Sequence, residues 1–216
     1  MLFNDEPKPI PPQALRALRR HKDTLCQLHK SFEYATEYAR SLLLQPNHHY
    51  DGSYHCHTVR YQVAVDLGRS GWSTSHFRTL ANSGLEILSE MDLLRCWKAT
   101  PEEAIPAPGD SAGRVRFCNQ PNEPMFLFSP DEYSCRNPGH LVVLWDVDQN
   151  LGLNHFSLAC PKRLESIWKP VEAYWKLAIP HPANWIEPTS DFREADDHDF
   201  DLDQLGTDGA DDPSKK

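Results

Sequence analysis

The sequence lacks the features that would place the protein in a membrane or outside the cytoplasm. Its first residues, MLFNDEPKPIPP, contain no apolar core segment and therefore predict no signal peptide. The longest apolar runs, such as Leu141 to Trp145, are far too short to span a bilayer. The six cysteines include no CxxC pair. We therefore expect reduced thiols in a cytoplasmic protein that does not associate with membranes.

The motifs of well-marked enzyme classes are also missing. No nucleophilic triad pattern, phosphate-binding loop or zinc-protease motif is found. Carboxylates and histidines that could serve an enzyme are present, but nothing in their spacing requires catalysis. We therefore assign no catalytic residues and favour a protein that binds a partner.

The chain has no excess of positive charge. Its formal net charge is −9. Residues 187–216 hold 11 acidic and 3 basic residues and so carry −8 of that charge. The preceding residues hold 20 acidic and 19 basic residues and are close to neutral. Most DNA-binding domains are clearly basic, so this near-neutral balance neither recruits nor excludes nucleic acid.

Composition divides the chain into three parts. Residues 1–11 are rich in proline and charge and predict a flexible lead-in. Residues 12–180 predict a single globular body, since the chain is 39% hydrophobic and long enough for one substantial core. Residues 181–216 lose periodicity and become acidic, which predicts a disordered tail. Such a tail either keeps the protein soluble or binds a protein partner.

The N-terminal part of the body is predicted to be helical. Apolar residues between positions 15 and 42 fall on one helical stripe. The stripe predicts one long helix, or two helices broken near Asp23 and Thr24, with Thr24 capping the second. A stripe of this length suits core packing and also suits a homodimer interface.

Two further helices are predicted in the centre of the chain. The apolar pattern after residue 58 indicates a short helix that stops at Gly68. Ser73 is suited to cap a second helix, which would begin at position 74 or 75 and continue to about Met91.

Strand-like runs follow the second predicted helix. Residues 95–98 and 114–118 are separated by a loop and predict a β-hairpin. Two helices joined by a glycine-containing turn and followed by a hairpin resemble the winged helix-turn-helix superfamily over about residues 58–119. The segment LEILSEMDLLRCW carries the resemblance, with Asp92 where many members of the superfamily have glycine.

The resemblance implies that the exposed start of the second helix enters the major groove of DNA. Arginine and asparagine suit bidentate readout of guanine and adenine, and serine and threonine suit phosphates. Basic residues on the wing strands would contact the DNA backbone. The predicted DNA-binding residues are Ser73, Thr74, Ser75, His76, Arg78 and Asn82 on the helix and Lys98, Arg114 and Arg116 on the wing.

The segment QPNHHYDGSYHCH concentrates potential metal ligands. Imidazole and thiolate groups suit zinc or another divalent metal, but the spacing fits no closed four-ligand pattern. A turn at positions 51–52 could bring two of the histidines face to face. The candidate metal ligands are His49, His55 and His57.

The last part of the body is predicted to be a β-hairpin followed by a helix. Apolar runs at 141–147 and 153–158 flank DQNLG, a typical turn sequence. Pro161 is suited to the first position of an amphipathic helix whose aromatic stripe continues to Ala178.

Together these patterns predict an α+β protein. It would have a helical N-terminal segment, a winged helix-turn-helix core at about 58–119, a β-hairpin plus amphipathic helix within 120–180, and a disordered acidic tail. We expect it to bind double-stranded DNA, as a transcriptional regulator or as a replication or partition protein of a mobile element. One alternative is a metal-dependent nuclease or hydrolase that uses the cluster at 48–57. The other is a non-enzymatic adaptor that binds a protein partner.

Overall fold

A six-stranded mixed sheet organises the chain, with three helices against one face and one short helix against the other. The computed structural model describes residues 10–43, 51–80, 84–89, 92–119 and 139–185. The predicted lead-in before residue 10, the predicted tail beyond residue 185, His49 and Asn82 lie outside these described residues. The observed elements confirm the predicted α+β class.

The predicted N-terminal helical segment is confirmed as two helices, α1 (Pro12–Arg20) and α2 (Lys22–Leu43). The break is at His21, slightly before the predicted position, and the His21 N–H still donates to Ala17 O at 3.1 Å. The end of the helix expected to stop at Gly68 is also confirmed, since α3 is Gly52–Arg69, but this helix begins at Gly52 and is longer than the short helix predicted after residue 58. Its N-cap is Asp51, whose carboxylate accepts the Ser53 N–H at 2.8 Å.

The sheet has the strand order β1-β2-β3-β4-β5-β6. All neighbouring pairs are antiparallel except β3 and β4, which run parallel. A parallel pair needs a crossover connection, and here the crossover includes the short helix α4 (Ala112–Asn119). The strands are β1 (Phe77–Leu80), β2 (Gly84–Leu88), β3 (Asp92–Lys98), β4 (Gly139–Val147), β5 (Leu153–Pro161) and β6 (Ala173–Ala178).

The main core lies between the sheet and helices α1 to α3. Phe32 on α2 is fully buried, and its ring centroid lies 5.2 Å from that of Trp145 and 5.5 Å from that of Phe156. Alternate residues of each strand point to this side, as the twofold side-chain period of a strand requires. On β2, for example, Leu85 and Ile87 belong to this core. We call this side the helical face of the sheet and the opposite side the α4 face.

A buried ion pair joins the helices to the start of β3. The Asp92 carboxylate accepts hydrogen bonds from Arg20 Nη1 at 2.6 Å and His21 Nε2 at 2.7 Å. Burial alone would raise the pKa of Asp92, but the His21 hydrogen bond and the Arg20 charge outweigh it and lower that pKa. A Cβ on Gly139, the register partner on β4, would lie 2.5 Å from Asp92 Oδ1, so any larger residue there would force the Asp92 carboxylate to move. Asp92 is therefore a strand residue that anchors the helices, and not the end of a helix.

The helix predicted from position 74 or 75 to about Met91 is wrong, because this segment contains β1 and β2. The two strands pair in antiparallel register, with Phe77 opposite Ile87 and Leu80 opposite Gly84. Asparagine, serine and glycine at 82–84 are turn-forming residues, and they divide the segment into two short apolar runs. Taken together, the apolar residues of the two runs have the three- and four-residue spacing of one helical stripe.

Two other predicted elements are also wrong. Residues 114–118, expected to be a strand, lie in α4. The amphipathic helix expected from Pro161 is absent from the described residues, since Pro161 ends β5 and β6 occupies Ala173–Ala178. Exposed and partly buried residues alternate along β6, which is the period of a strand. The hairpin predicted from the runs at 141–147 and 153–158 is confirmed as β4 and β5.

No helix among the described residues is long and apolar enough to cross a membrane.

Candidate nucleic-acid interface

The first four predicted DNA-binding residues form an exposed turn before β1. In this turn Ser73 Oγ lies 2.6 Å from Ser75 Oγ and 2.9 Å from His76 Nδ1, so the side chains bond one another. Ser73, Thr74, Ser75 and His76 are all exposed. The turn keeps these four side chains on the surface, but it does not align them along one face as a recognition helix would.

Arg78, the next predicted residue, belongs to a row of charges across the α4 face. The strand register places Arg78 opposite Glu86, and Glu86 opposite Arg95. The Glu86 side chain is 0% exposed and accepts hydrogen bonds from both arginines, with Arg95 Nε at 2.6 Å. Two guanidinium groups therefore share one buried carboxylate, and the row keeps an excess of positive charge.

Helix α4 adds two more arginines next to this row. Ser111 occupies the position before the helix, and its carbonyl oxygen accepts the Val115 N–H at 2.9 Å. Arg95 Nη1 donates to Gly113 O at 2.9 Å, which ties the first turn of α4 to β3. The Arg114 guanidinium lies over the Trp97 ring at 5.3 Å, while Arg116 is exposed.

The Arg114 guanidinium lies near other positive charges. Among the residues that the structure describes, no acidic side chain lies within ion-pair distance of it. Burial lowers the pKa of Arg114, and the nearby positive charges of Arg60 and Arg95 lower it further. The region therefore holds several mutually repelling cations, which a bound anion would stabilise. We call the group Arg78, Arg95, Arg114 and Arg116 the arginine face.

Lys98 does not join this group. It alternates with Trp97 along β3 and so points to the helical face, where its Nζ lies 3.6 Å from Asp146 Oδ1. Of the predicted wing residues, Arg114 therefore lies near Arg95, Arg116 is exposed two positions further along the same helix, and Lys98 is on the other side of the sheet.

The predicted metal ligands that lie within the described residues do not converge. His55 and His57 are two positions apart on α3, so they project about 200° apart around the helix axis. His55 is fully buried in the helical layer and His57 is only partly buried. Burial also raises the pKa of the neighbouring Cys56 thiol, which favours its protonated, non-ligating form.

Sequence reasoning missed Glu86 and Arg95, which hold the arginine face together. Both sit in strands, and their pairing becomes visible only once the register of β1, β2 and β3 is known. The available signal was the alternation of Leu85, Glu86 and Ile87, in which a charged residue stands between two core residues.

Comparison with known proteins adds no family to this description: no family model, curated protein or solved structure matches the chain.

Proposed function

We propose that the protein binds double-stranded DNA through the arginine face. The observation that carries the proposal is the half-buried Arg114 guanidinium, which has no carboxylate partner among the described residues and is repelled by neighbouring arginines. DNA phosphates would supply the missing negative charge, and arginine is the side chain best suited to bind them in a fixed geometry.

The arrangement of the arginine face supports contact with the backbone of a duplex. Arg78 has 56% of its side chain exposed and Arg116 is exposed, so both can reach a ligand on the surface. Arg95 is 14% exposed and is bonded to Glu86 and Gly113, so its role is to hold strand and helix together beneath the surface. The turn formed by Ser73 to His76 leads directly into β1 and offers hydroxyl groups at the edge of the same sheet.

The test is the salt dependence of DNA binding. Fluorescence anisotropy with a labelled duplex of mixed sequence, over a range of salt concentrations, should show binding that weakens as salt rises. The double variant Arg114→Ala/Arg116→Ala should bind more weakly and lose up to about 1.8 from the slope of log K against log salt, since each phosphate contact contributes about 0.9.

The control removes the same charge elsewhere. Arg69→Ala/Arg163→Ala takes away two exposed arginines that lie outside the arginine face. It should keep the wild-type slope. Equal losses in both double variants would mean that net charge alone drives binding, and absence of binding by the wild type at low salt would rule out the DNA function.

Exposed tyrosines favour a second function, protein–protein binding through α2 and α3. Tyr34, Tyr38, Tyr54 and Tyr61 have relative exposures of 40% to 65%, and tyrosine is enriched among residues that dominate the energy of interfaces. A second copy of the chain is the partner to test first. Sedimentation velocity should show concentration-dependent association that Tyr34→Ser/Tyr61→Ser abolishes, and a monomer at every concentration would remove this candidate.

A further inference from the structure

Two histidines and a glutamate converge where the C-terminal segment meets α2. His29 and Glu33 are four positions apart on α2 and therefore lie on the same side of the helix. His181 approaches them from the segment that follows β6. The ligand atoms of the three side chains all lie within 4.8 Å of one another. This is the one such group of metal-ligating side chains among the described residues.

The backbone after β6 fixes the position of His181. The Ile179 N–H donates to Phe156 O at 2.9 Å, which holds the chain beside β5 after the strand has ended. A short 3₁₀ turn, Pro182–Asn184, follows, and His181 Nδ1 accepts the Ala183 N–H at 3.1 Å. The Nε2 atom is thereby directed toward Glu33.

The distances from Glu33 to the two histidines are close to those between the ligands of a zinc ion. Glu33 Oε1 lies 3.1 Å from His181 Nε2, and Glu33 Oε2 lies 3.5 Å from His29 Nδ1. Ligand atoms about 2.0–2.1 Å from a tetrahedral zinc ion are roughly 3.3 Å apart. The third separation, between the ligand atoms of His29 and His181, is at most 4.8 Å, so side-chain rotations that bring the two rings closer would place all three ligand atoms at bonding distance from one ion.

His29 provides an independent indication that a ligand binds here. Its side chain is 9% exposed, and its ring packs edge-on against Phe156 with centroids 5.0 Å apart. The buried Nδ1 has the Glu33 carboxylate 3.5 Å away, which is too far for a well-formed hydrogen bond. Such orphaned nitrogens are rare in folded proteins, because water would satisfy them in the unfolded chain.

We propose that His29, Glu33 and His181 bind a zinc ion. Two imidazole nitrogens and one carboxylate oxygen form a typical zinc donor set, and three protein ligands leave a fourth position for water. Glu33 and His181 have 42% and 46% of their side chains exposed, so solvent reaches the site from one side. The site is on the helical face, opposite the arginine face, and does not depend on the DNA proposal.

Zinc binding would change the hydrogen bonding of His181. Coordination through Nε2 places the ring proton on Nδ1, which can then no longer accept the Ala183 N–H. Filling the site therefore exchanges one backbone hydrogen bond for a metal bond. Chemical shifts of the 182–184 backbone amides should report this exchange.

The experiment measures Zn²⁺ affinity by competition with a chromophoric chelator, using the full chain after removal of metal. The wild type should bind one zinc ion per chain, and Co²⁺ should give the visible absorption of a four-coordinate site. Glu33→Gln and His181→Gln change exposed side chains and should leave the metal-free fold intact. Each should weaken zinc binding by more than about 100-fold, because even loss of an outer hydrogen-bond partner costs 10–100-fold.

The matched control is Glu37→Gln, one turn further along α2. Glu37 is exposed and pairs with Arg40, so its loss should leave zinc affinity unchanged. If the wild type binds no zinc, or if Glu33→Gln and His181→Gln bind as tightly as the wild type, the proposal is wrong. In the second case the ion must bind elsewhere, and the His49, His55 and His57 variants would be the next to test.

Discussion

The two faces of the sheet are stabilised in different ways. Among the described residues, the core of the helical face contains 21 buried apolar residues and that of the α4 face only nine, so apolar burial contributes mainly on the helical side. On the α4 face the space next to β1, β2 and β3 is filled by Arg95 and Glu86 instead. The Arg95 guanidinium lies 4.6 Å from the centroid of the Phe117 ring.

This difference connects stability to the proposed function. The core of the face covered by helices α1 to α3 is mainly apolar, and the buried Asp92 carboxylate there is already paired with Arg20 and His21. On the α4 face, guanidinium groups pack against the sheet, so positive charge stays close to the surface, where an anion can neutralise it. The carboxylate of Glu86 offsets only part of this charge, because two arginines share it.

The largest expected effect comes from the core of the helical face. Phe32→Ala removes a fully buried ring between Trp145 and Phe156, and we expect it to lower the free energy of unfolding by about 3–5 kcal/mol. Because that is a large share of the stability of a typical domain, the variant should be near the limit of folding. Urea denaturation measures the change.

Phe117→Ala is the corresponding change on the α4 face. Its ring packs against Trp97 and His140, but one neighbour is the Arg95 guanidinium, which water can solvate once the ring is removed. We therefore expect Phe117→Ala to lower the free energy of unfolding by about 3 kcal/mol or less, the lower end of the usual range for such a change. Equal losses for Phe32→Ala and Phe117→Ala would mean that the two faces contribute alike.

The next largest expected effect is the loss of stability when the buried Glu86 carboxylate is replaced. Glu86→Gln keeps the shape of the side chain but leaves Arg78 and Arg95 without a counter-charge. Breaking a fully buried pair costs about 3–5 kcal/mol, and because Arg78 is largely exposed we expect a loss of about 2–4 kcal/mol. The control, Glu172→Gln, removes an exposed partner of Lys162 and should leave the urea midpoint nearly unchanged.

Glu86→Gln also tests whether the positive charge of the arginine face determines DNA affinity. If the variant folds, its arginine face has gained positive charge, so the affinity for a DNA duplex should rise at low salt. If a folded Glu86→Gln protein bound DNA as tightly as the wild type or more weakly, the row formed by Arg78, Glu86 and Arg95 would not be part of the DNA interface.

The elements that were predictable from sequence are those specified by local patterns. Helices α1 to α3 carry apolar residues at helical spacing, and the hairpin of β4 and β5 has two apolar runs around a turn sequence. The prediction for the segment from Phe77 to Leu88 failed because its two short strands reproduce a helical stripe when the turn-forming residues between them in the sequence are overlooked. Pairing with β3 determines its structure, and that pairing is not local.

The candidate sites were less predictable than the fold for the same reason. Arg78 and Glu86 meet through strand register, and a shift of one residue would send them to opposite faces. His181 meets His29 and Glu33 only because β6 and the segment after it return to α2. The metal site was instead predicted at residues 48–57, because the sequence shows which histidines are close along the chain but not which are close in space.

The smallest expected effect is a pH dependence on the α4 face. The ring of His140 is buried, stacks on Phe117 at 4.4 Å between centroids, and its Nδ1 lies 2.8 Å from Phe117 O. Burial lowers the pKa of His140, and the charge of Arg95 lowers it further, against the opposing effects of the Phe117 hydrogen bond, Glu86 and Asp92. In the unfolded chain the pKa returns to about 6.5.

This difference gives the sign of the effect. Between the folded and unfolded pKa values the unfolded chain binds more protons, so stability rises with pH and is lost as pH falls below about 6.5. His140 can contribute at most about 1.4 kcal/mol per pH unit, the value for one proton. His140→Asn keeps an N–H donor for Phe117 O but cannot titrate, so its unfolding free energy, measured in urea from pH 7.5 to 5, should decline less steeply than that of the wild type. Parallel profiles would mean that His140 is protonated alike in both states, and that the α4 face tolerates a further positive charge beside Arg95.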